Sequence, residues 1–122
     1  MREMRQDWAV GKATMSETTG VTKPIQDALT KAGYFCMRLN SGLIKSGKRF
    51  IRLCPAGTAD LVLFLPERTP VWIETKSLKG KTNPEQLQAQ GAFRERVERL
   101  AHTYVRATCL DDVLEVLRKE SK

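Results

Sequence analysis

The chain has 122 residues, the commonest size for one compact domain, and can bury a hydrophobic core without disulfides or structural metals. Hydrophobic residues make up 41% and charged residues 29% of it, and no apolar run approaches the roughly 18 residues that a membrane helix needs, which argues against a membrane-spanning helix. The net charge of +7 at pH 7 is typical of a protein that meets polyanions, although charge indicates partners and not the fold.

The first 20 residues show neither a helical nor a strand period. They are predicted to form a flexible arm, residues 1–20, ahead of one folded domain at residues 21–122. The opening MREMRQDWAV lacks the continuous apolar segment and the small-residue cleavage site of a signal peptide, so we expect a cytoplasmic location.

The three cysteines, Cys36, Cys54 and Cys109, are odd in number and widely spaced. This spacing matches neither a disulfide framework nor a CxxC metal site. We therefore predict reduced, mostly buried thiols.

The segment that follows the arm predicts a helix and then a small antiparallel meander. The helix begins near Thr22, has Pro24 in its first turn and ends at Gly33. YFCMRLN favours one strand and KRFIRL another, with SG, LIK and a turn at Ser46 and Gly47 between them. These features indicate neighbouring antiparallel strands.

The second half predicts a hairpin, a helix, a strand and a last helix. LVLFL and VWIETK flank the turn PERTP, and NPEQ opens a helix with Asn83 as its N-cap and Pro84 as its first residue. TYVRA then predicts a strand, and Asp111 or Asp112 begins the final helix. The predicted order is α-β-β-β-β-α-β-α. A helix between the fourth and fifth strands indicates an α/β fold with a mixed sheet flanked by helices on both faces.

Three charged residues interrupt the apolar hairpin. If Leu65 lies opposite Val71, the two-residue period of strands places Asp60, Glu74 and Lys76 on one face of the sheet, near one end. Side chains at opposed or diagonal positions of two neighbouring strands lie close enough to interact. The hairpin therefore brings two carboxylates and an ammonium together.

This cluster has two interpretations. A salt-bridged group that stabilises the hairpin is one, since paired charges on a half-exposed sheet face are common. The other is a metal site, because two close carboxylates repel each other unless a cation lies between them. Asp60 and Glu74, with the backbone carbonyl of Thr75, would suit Mg²⁺ or Mn²⁺. Lys76 could then position an attacking water or neutralise the charge that builds up on a phosphate, which indicates phosphodiester hydrolysis.

Several segments of the chain resemble the VRR-NUC family of the PD-(D/E)xK nuclease superfamily. They are IQDAL, RLNSG, GKRFIRL, PAGTADLVLF, VWIETKSLKGKTNPEQ, YVRA and DDVLEVL, and together they run through most of residues 22–118. A Glu-x-Lys pair alone is common, but its place after a Gly-x-x-Asp hairpin and before a Pro-Glu-Gln helix start is much more specific. The resemblance implies a restriction-endonuclease-like core.

The resemblance also implies a metal-dependent, structure-specific DNA endonuclease, a hydrolase in which Asp60 and Glu74 bind the ion and Lys76 is the catalytic lysine. Gln86 would reach into this site from its helix. A capping box with Asn83 would explain Gln86 as well. The resemblance implies a glutamate in the first helix, just before the Ile25–Gln26 pair, where this chain has Thr22 and Lys23, and Glu17 could replace it only if the arm folds onto the domain.

Standalone members of the resembled family are associated with homodimers that act on branched DNA such as four-way Holliday junctions. A protein with two-fold symmetry suits paired, symmetric cuts. Two alternatives stay open: a nickase or flap-type endonuclease of a phage or repair assembly, and a DNA-binding module with feeble cleavage.

Seven basic residues and Asn40 supply candidate DNA contacts on the meander and on the loop after the Glu-x-Lys pair. They are Arg38, Asn40, Lys45, Lys48, Arg49, Arg52, Lys79 and Lys81. An exposed polar face without a partner explains the meander equally well, and a solvated loop explains the two last lysines nearly as well. The mixed charges of Arg94, Arg96 and Arg99 with Glu95 and Glu98 predict an exposed helix surface.

Overall fold

The computed structural model describes residues 18–39, 43–77 and 83–120. A π-helical turn, Thr18–Thr22, runs directly into helix α1, Lys23–Lys31, so helical structure begins before the predicted start. Pro24 lies in the first turn of α1, as predicted. Gly33 follows the helix with a φ of 98°, a left-handed conformation that favours glycine and ends the helix. Most of the predicted arm lies outside the described residues, and its boundary stays a prediction.

Within the described residues, six strands and two further helices follow α1. They are β1 (Phe35–Arg38), β2 (Leu43–Ser46), β3 (Arg49–Arg52), β4 (Leu61–Phe64), β5 (Val71–Thr75), α2 (Pro84–Arg99), β6 (Thr103–Ala107) and α3 (Leu110–Glu120). The structure thus has one more strand before α2 than the predicted order. The continuous meander is wrong, because β1 pairs with β4 while β2 and β3 form a separate two-stranded sheet.

The main sheet has the strand order β1-β4-β5-β6 and is mixed, as predicted. β4 is antiparallel to both β1 and β5, and β5 and β6 are parallel. Parallel neighbours need a crossover, and α2 provides it. The mixed α/β architecture predicted from the sequence is confirmed.

The hydrophobic core lies on one face of the main sheet, beneath α1 and α3. Leu29 of α1, Leu63 and Ile73 of the sheet and Val113 of α3 are buried members of one cluster. Burial of such a side chain contributes about 1.5–3 kcal/mol. The other face carries Trp72, which packs edge-on against Phe93 of α2 with ring centroids 5.4 Å apart. Helices therefore flank both faces.

The register of the β4–β5 hairpin differs from the expected one. Leu63, and not Leu65, lies opposite Val71. Because this slip is two residues and side chains alternate with a period of two, the residues within β4 and β5 keep their predicted faces. Asp60 precedes β4, and its carboxylate accepts a hydrogen bond from the hydroxyl of Thr75, which projects from the face opposite Glu74.

The cysteines differ from the expectation that most would be buried. All three are free, but only Cys36 is buried, whereas Cys54 is half-buried and Cys109 is exposed. Burial raises the pKa of the Cys36 thiol to about 11.

No helix within the described ranges is long and apolar enough to cross a bilayer.

Candidate active site

Asp60 immediately precedes β4 and is held by the end of β5. Its Oδ2 accepts hydrogen bonds from the backbone N–H and the hydroxyl of Thr75, each over 2.9 Å. Both bonds go to one oxygen. Among the described residues, Oδ1 of Asp60 therefore remains able to accept another ligand.

Thr22, at the junction of the π-helical turn and α1, contacts Thr75 in turn. Its hydroxyl lies 2.5 Å from the hydroxyl of Thr75. Since the Thr75 hydroxyl donates to Asp60, Thr22 is the donor in this pair. Thr22 and Thr75 are both buried, at 3% and 0% exposure. A chain of two hydroxyls thus leads from Thr22, at the junction of the π-helical turn and α1, to the carboxylate of Asp60.

Glu74 is the second carboxylate, and it is buried at 4% exposure. Lys76, two residues further on, is also buried, and its Nζ lies 3.7 Å from Oε2 of Glu74. Gln90 of α2 donates a hydrogen bond from Nε2 to the same oxygen over 3.0 Å. The structure therefore groups the predicted Glu74 and Lys76 with an amide that the sequence interpretation did not include.

Gln86 occupies a different position from the one expected. Its backbone N–H donates to Oδ1 of Asn83 over 2.8 Å, and its side-chain Oε1 accepts from the N–H of Asn83 over 3.4 Å. These two bonds form a capping box at the start of α2. Gln90, one helical turn later, is the α2 glutamine that contacts Glu74.

Gly57 explains how α2 comes so close to the Asp60 loop. It has a φ of 85°, and a Cβ atom added there would lie 2.2 Å from the carbonyl oxygen of Ala89 and 2.8 Å from the backbone nitrogen of Gln90. Only a residue without a side chain allows this approach. The Gly-x-x-Asp sequence thus places Asp60 on a loop that packs against the backbone that carries Gln90.

Tyr104 of β6 lies on the same sheet face as Trp72, its parallel neighbour. Burial raises the pKa of its phenol to about 12. The negative charges of Glu74 and, more weakly, Asp60 also raise this pKa, whereas the positive charges of Arg94 and Arg106 lower it. Both candidate carboxylates and two arginines therefore lie near one phenol.

The donor set fits a small divalent ion. Asp60 and Glu74 supply hard oxygen ligands, which Mg²⁺ and Mn²⁺ prefer. No group of three or more histidine, cysteine, aspartate or glutamate side chains suited to a metal occurs in the described segments. Mg²⁺ is usually held by one or two carboxylates together with waters and substrate phosphates, so a pair is sufficient. The carbonyl of Thr75 stays a predicted ligand.

The predicted DNA contacts that the structure describes lie on β1 and on the β2–β3 hairpin. Arg38 ends β1 beside the Asp60 loop, since the N–H of Leu39 donates to the carbonyl of Asp60. Four others lie on or at the turn of the β2–β3 hairpin and are exposed: Lys45, Lys48, Arg49 and Arg52. Asn40, Lys79 and Lys81 lie outside the described residues.

Comparisons with known proteins show which fold the chain shares. No protein-family model matches the chain, and no curated protein matches it. A solved structure described as a VRR_NUC domain is similar, with a TM-score of 0.52 and 19% sequence identity, and the match covers 85% of this chain and 97% of that chain. At 19% sequence identity, the similarity shows a shared fold and nothing further. The protein has the restriction-endonuclease-like fold of a VRR_NUC domain.

Proposed function

We propose that the protein is a metal-dependent endonuclease of the VRR-NUC family that hydrolyses phosphodiester bonds in DNA. The observation that carries this proposal is the grouping of Glu74, Lys76 and Gln90 beside the loop of Asp60, at one end of β5. The VRR_NUC-like fold supports it.

Asp60 and Glu74 would hold Mg²⁺ or Mn²⁺. A bound ion of this kind supplies Lewis-acid polarisation of a phosphate and an activated water. The hydroxyl and N–H of Thr75 fix one oxygen of Asp60, so the carboxylate is preorganised before an ion binds. Gln90 does the same for Glu74, because its amide donates to Oε2.

Lys76 would act on the substrate. Its ammonium is buried next to Glu74, where a low local dielectric strengthens its field. There it can donate a hydrogen bond to the attacking water or to a phosphate oxygen on which negative charge develops. A flexible surface lysine would have to be ordered first, whereas this one is already in place.

Branched DNA such as a Holliday junction is the proposed substrate, and a homodimer is the proposed active form. The β2–β3 hairpin supports a DNA partner. Lys45 lies opposite Phe50 in this hairpin, and Arg52 shares their face, so an exposed ring stands between two cations. Bases that leave the stack at a branch point can stack on such a ring while the cations meet phosphates.

The test is cleavage of a synthetic four-way junction and of a linear duplex with the same arms. Each is incubated with Mg²⁺, with Mn²⁺ and with EDTA, and Lys76→Ala is the control. We expect symmetric cuts in the junction with either metal, and none with EDTA or with the variant. Preferred cutting of a flap or nicking of duplex would replace the junction assignment, and binding without cleavage by the folded wild type would refute the nuclease.

A further inference from the structure

A small cavity lies between α2 and β6, on the sheet face that carries Glu74. It has a volume of about 100 Å³ and is lined by Leu87, Gln90, Gly91, Arg94, Tyr104 and Arg106. A larger cavity of about 440 Å³ lies against Phe35 and Phe64 at the β1 edge, but no charged side chain lines it. The smaller cavity, unlike the larger one, is lined by charged side chains.

The cavity adjoins the candidate active site through two contacts. Gln90, which lines it, also donates to Glu74. Arg106 is the parallel neighbour of Glu74 on β6, and neighbouring residues of two paired strands project from the same face. A group bound in the cavity would therefore lie beside the reacting centre.

Hydrogen-bond donors dominate the lining. Arg94 lies over the Tyr104 ring, with its Cζ 5.2 Å from the ring centroid. It uses Nε to bind Glu98, which leaves the two terminal nitrogens able to donate elsewhere. The Tyr104 phenol is protonated at neutral pH, because its ordinary pKa of 10.0 lies well above 7 and burial raises this pKa further. No carboxylate lines the cavity.

We propose that Arg94, Tyr104 and Arg106 form a subsite for one backbone phosphate of DNA, next to the phosphate that is cleaved. Planar guanidinium groups match the oxygens of a phosphate, and a phenol hydroxyl adds a neutral donor. This inference rests on the proposed function and specifies how that site selects the bond it cuts. Phosphate contacts of this kind fix the register of a protein on DNA.

The first experiment measures DNA binding without metal, so that it does not depend on hydrolysis. Fluorescence anisotropy of a labelled duplex is recorded in EDTA over a series of KCl concentrations, for the full chain and for three variants. The variants are Arg106→Gln, Tyr104→Phe and Arg118→Gln. Arg118 is the matched control, because it is an exposed arginine of α3, which covers the opposite sheet face.

We expect Arg106→Gln to weaken binding about tenfold at low salt, as the loss of a charge-assisted hydrogen bond does. The slope of log K against log[KCl] should fall by about 0.9, the value for one phosphate contact. Tyr104→Phe should weaken binding without changing the slope, because it removes a neutral donor. Arg118→Gln should change neither affinity nor slope by a comparable amount. Equal effects of Arg106→Gln and Arg118→Gln would overturn the subsite.

The second experiment places one neutral methylphosphonate on either side of the mapped cut. In the wild type, the substitution at the subsite phosphate should slow cleavage about tenfold, and in Arg106→Gln it should add nothing. Additive losses at every position would overturn the proposal. The subsite and the proposed nuclease activity can be refuted separately. Normal cleavage by Arg106→Gln would refute the subsite alone. A wild type that shows the expected binding pattern but does not cleave DNA would refute the nuclease alone.

Discussion

Gln90 donates its amide hydrogen to the buried carboxylate of Glu74 over 3.0 Å, and through this bond helix α2 reaches the end of β5. Gln86 lies one turn earlier in the same helix, and its side chain forms part of the capping box with Asn83. The two glutamines therefore have separable roles.

Substitution of these glutamines should separate activity from stability. Gln90→Ala removes a donor from the site and should lower kcat about 10- to 100-fold, because Glu74 is then less firmly oriented. Gln86→Ala removes only the side-chain half of a cap and should cost up to about 1 kcal/mol of unfolding free energy, with kcat unchanged. Urea unfolding and single-turnover cleavage measure the two effects. An activity loss confined to Gln86→Ala would reverse this assignment.

Gly57→Ala should be much more damaging than an alanine at another glycine of the same backbone type. Its Cβ would lie 2.2 Å from the Ala89 carbonyl oxygen, so the loop or α2 must move. The control is Gly47→Ala, where φ is 65° and a Cβ would meet nothing within 4 Å. We expect about 1 kcal/mol of destabilisation at Gly47 from backbone strain alone, and clearly more at Gly57. Thermal unfolding of both variants checks this difference.

Thr22→Val should lower the affinity of the proposed site for Mg²⁺ through the hydroxyl of Thr75. The variant keeps the shape of the side chain but removes the hydroxyl that donates to Thr75, at the far end of the chain that leads to Asp60. Loss of one buried hydrogen bond costs about 1 kcal/mol of stability. The concentration of Mg²⁺ needed for half-maximal cleavage should also rise, while Thr30→Val, at an exposed position of α1, should leave it unchanged.

The phenol of Tyr104 provides a pH-dependent readout. Its pKa is about 12 in the folded protein, against 10.0 for the ordinary group, so the folded state holds this proton more firmly than the unfolded state. The resulting stabilisation is complete below about pH 10 and is lost as the pH rises towards 12. Phenolate absorbance in EDTA, in a Tyr34→Phe background, measures this pKa. Glu74→Gln should lower it and Arg106→Gln should raise it, since the two charges act in opposite directions.

Much of the fold could be predicted from local patterns. The period of two on β4 and β5 identified the face of Glu74 even though the assumed register was two residues out, because an even slip conserves the face. The separate β2–β3 sheet was missed, since strand composition identifies strands and not their partners. β1 pairs across a long connection with β4, and no local signal specifies such a pair.

The contact of Glu74 with Lys76 could be predicted because the two residues are close in sequence. Asp60, Glu74 and Lys76 belong to one hairpin, so their spacing carries information. Gln90 was missed because the choice between two glutamines one turn apart depends on how α2 packs, which Gly57 helps to set through a contact of distant backbone segments. The signal that could have indicated it was the capping box itself, which already occupies Gln86.

The parallel pairing of β5 with β6 determines when, during synthesis, the candidate site around Glu74 can form. The N–H of Lys76 bonds to the carbonyl of Ala107, so the strand that carries Glu74 has both neighbours only after β6 has been added. On the ribosome, a growing chain already contains both acidic groups while β5 is still an open edge and Glu74 is in contact with water. The proposed nuclease activity would therefore require that β6 has paired with β5.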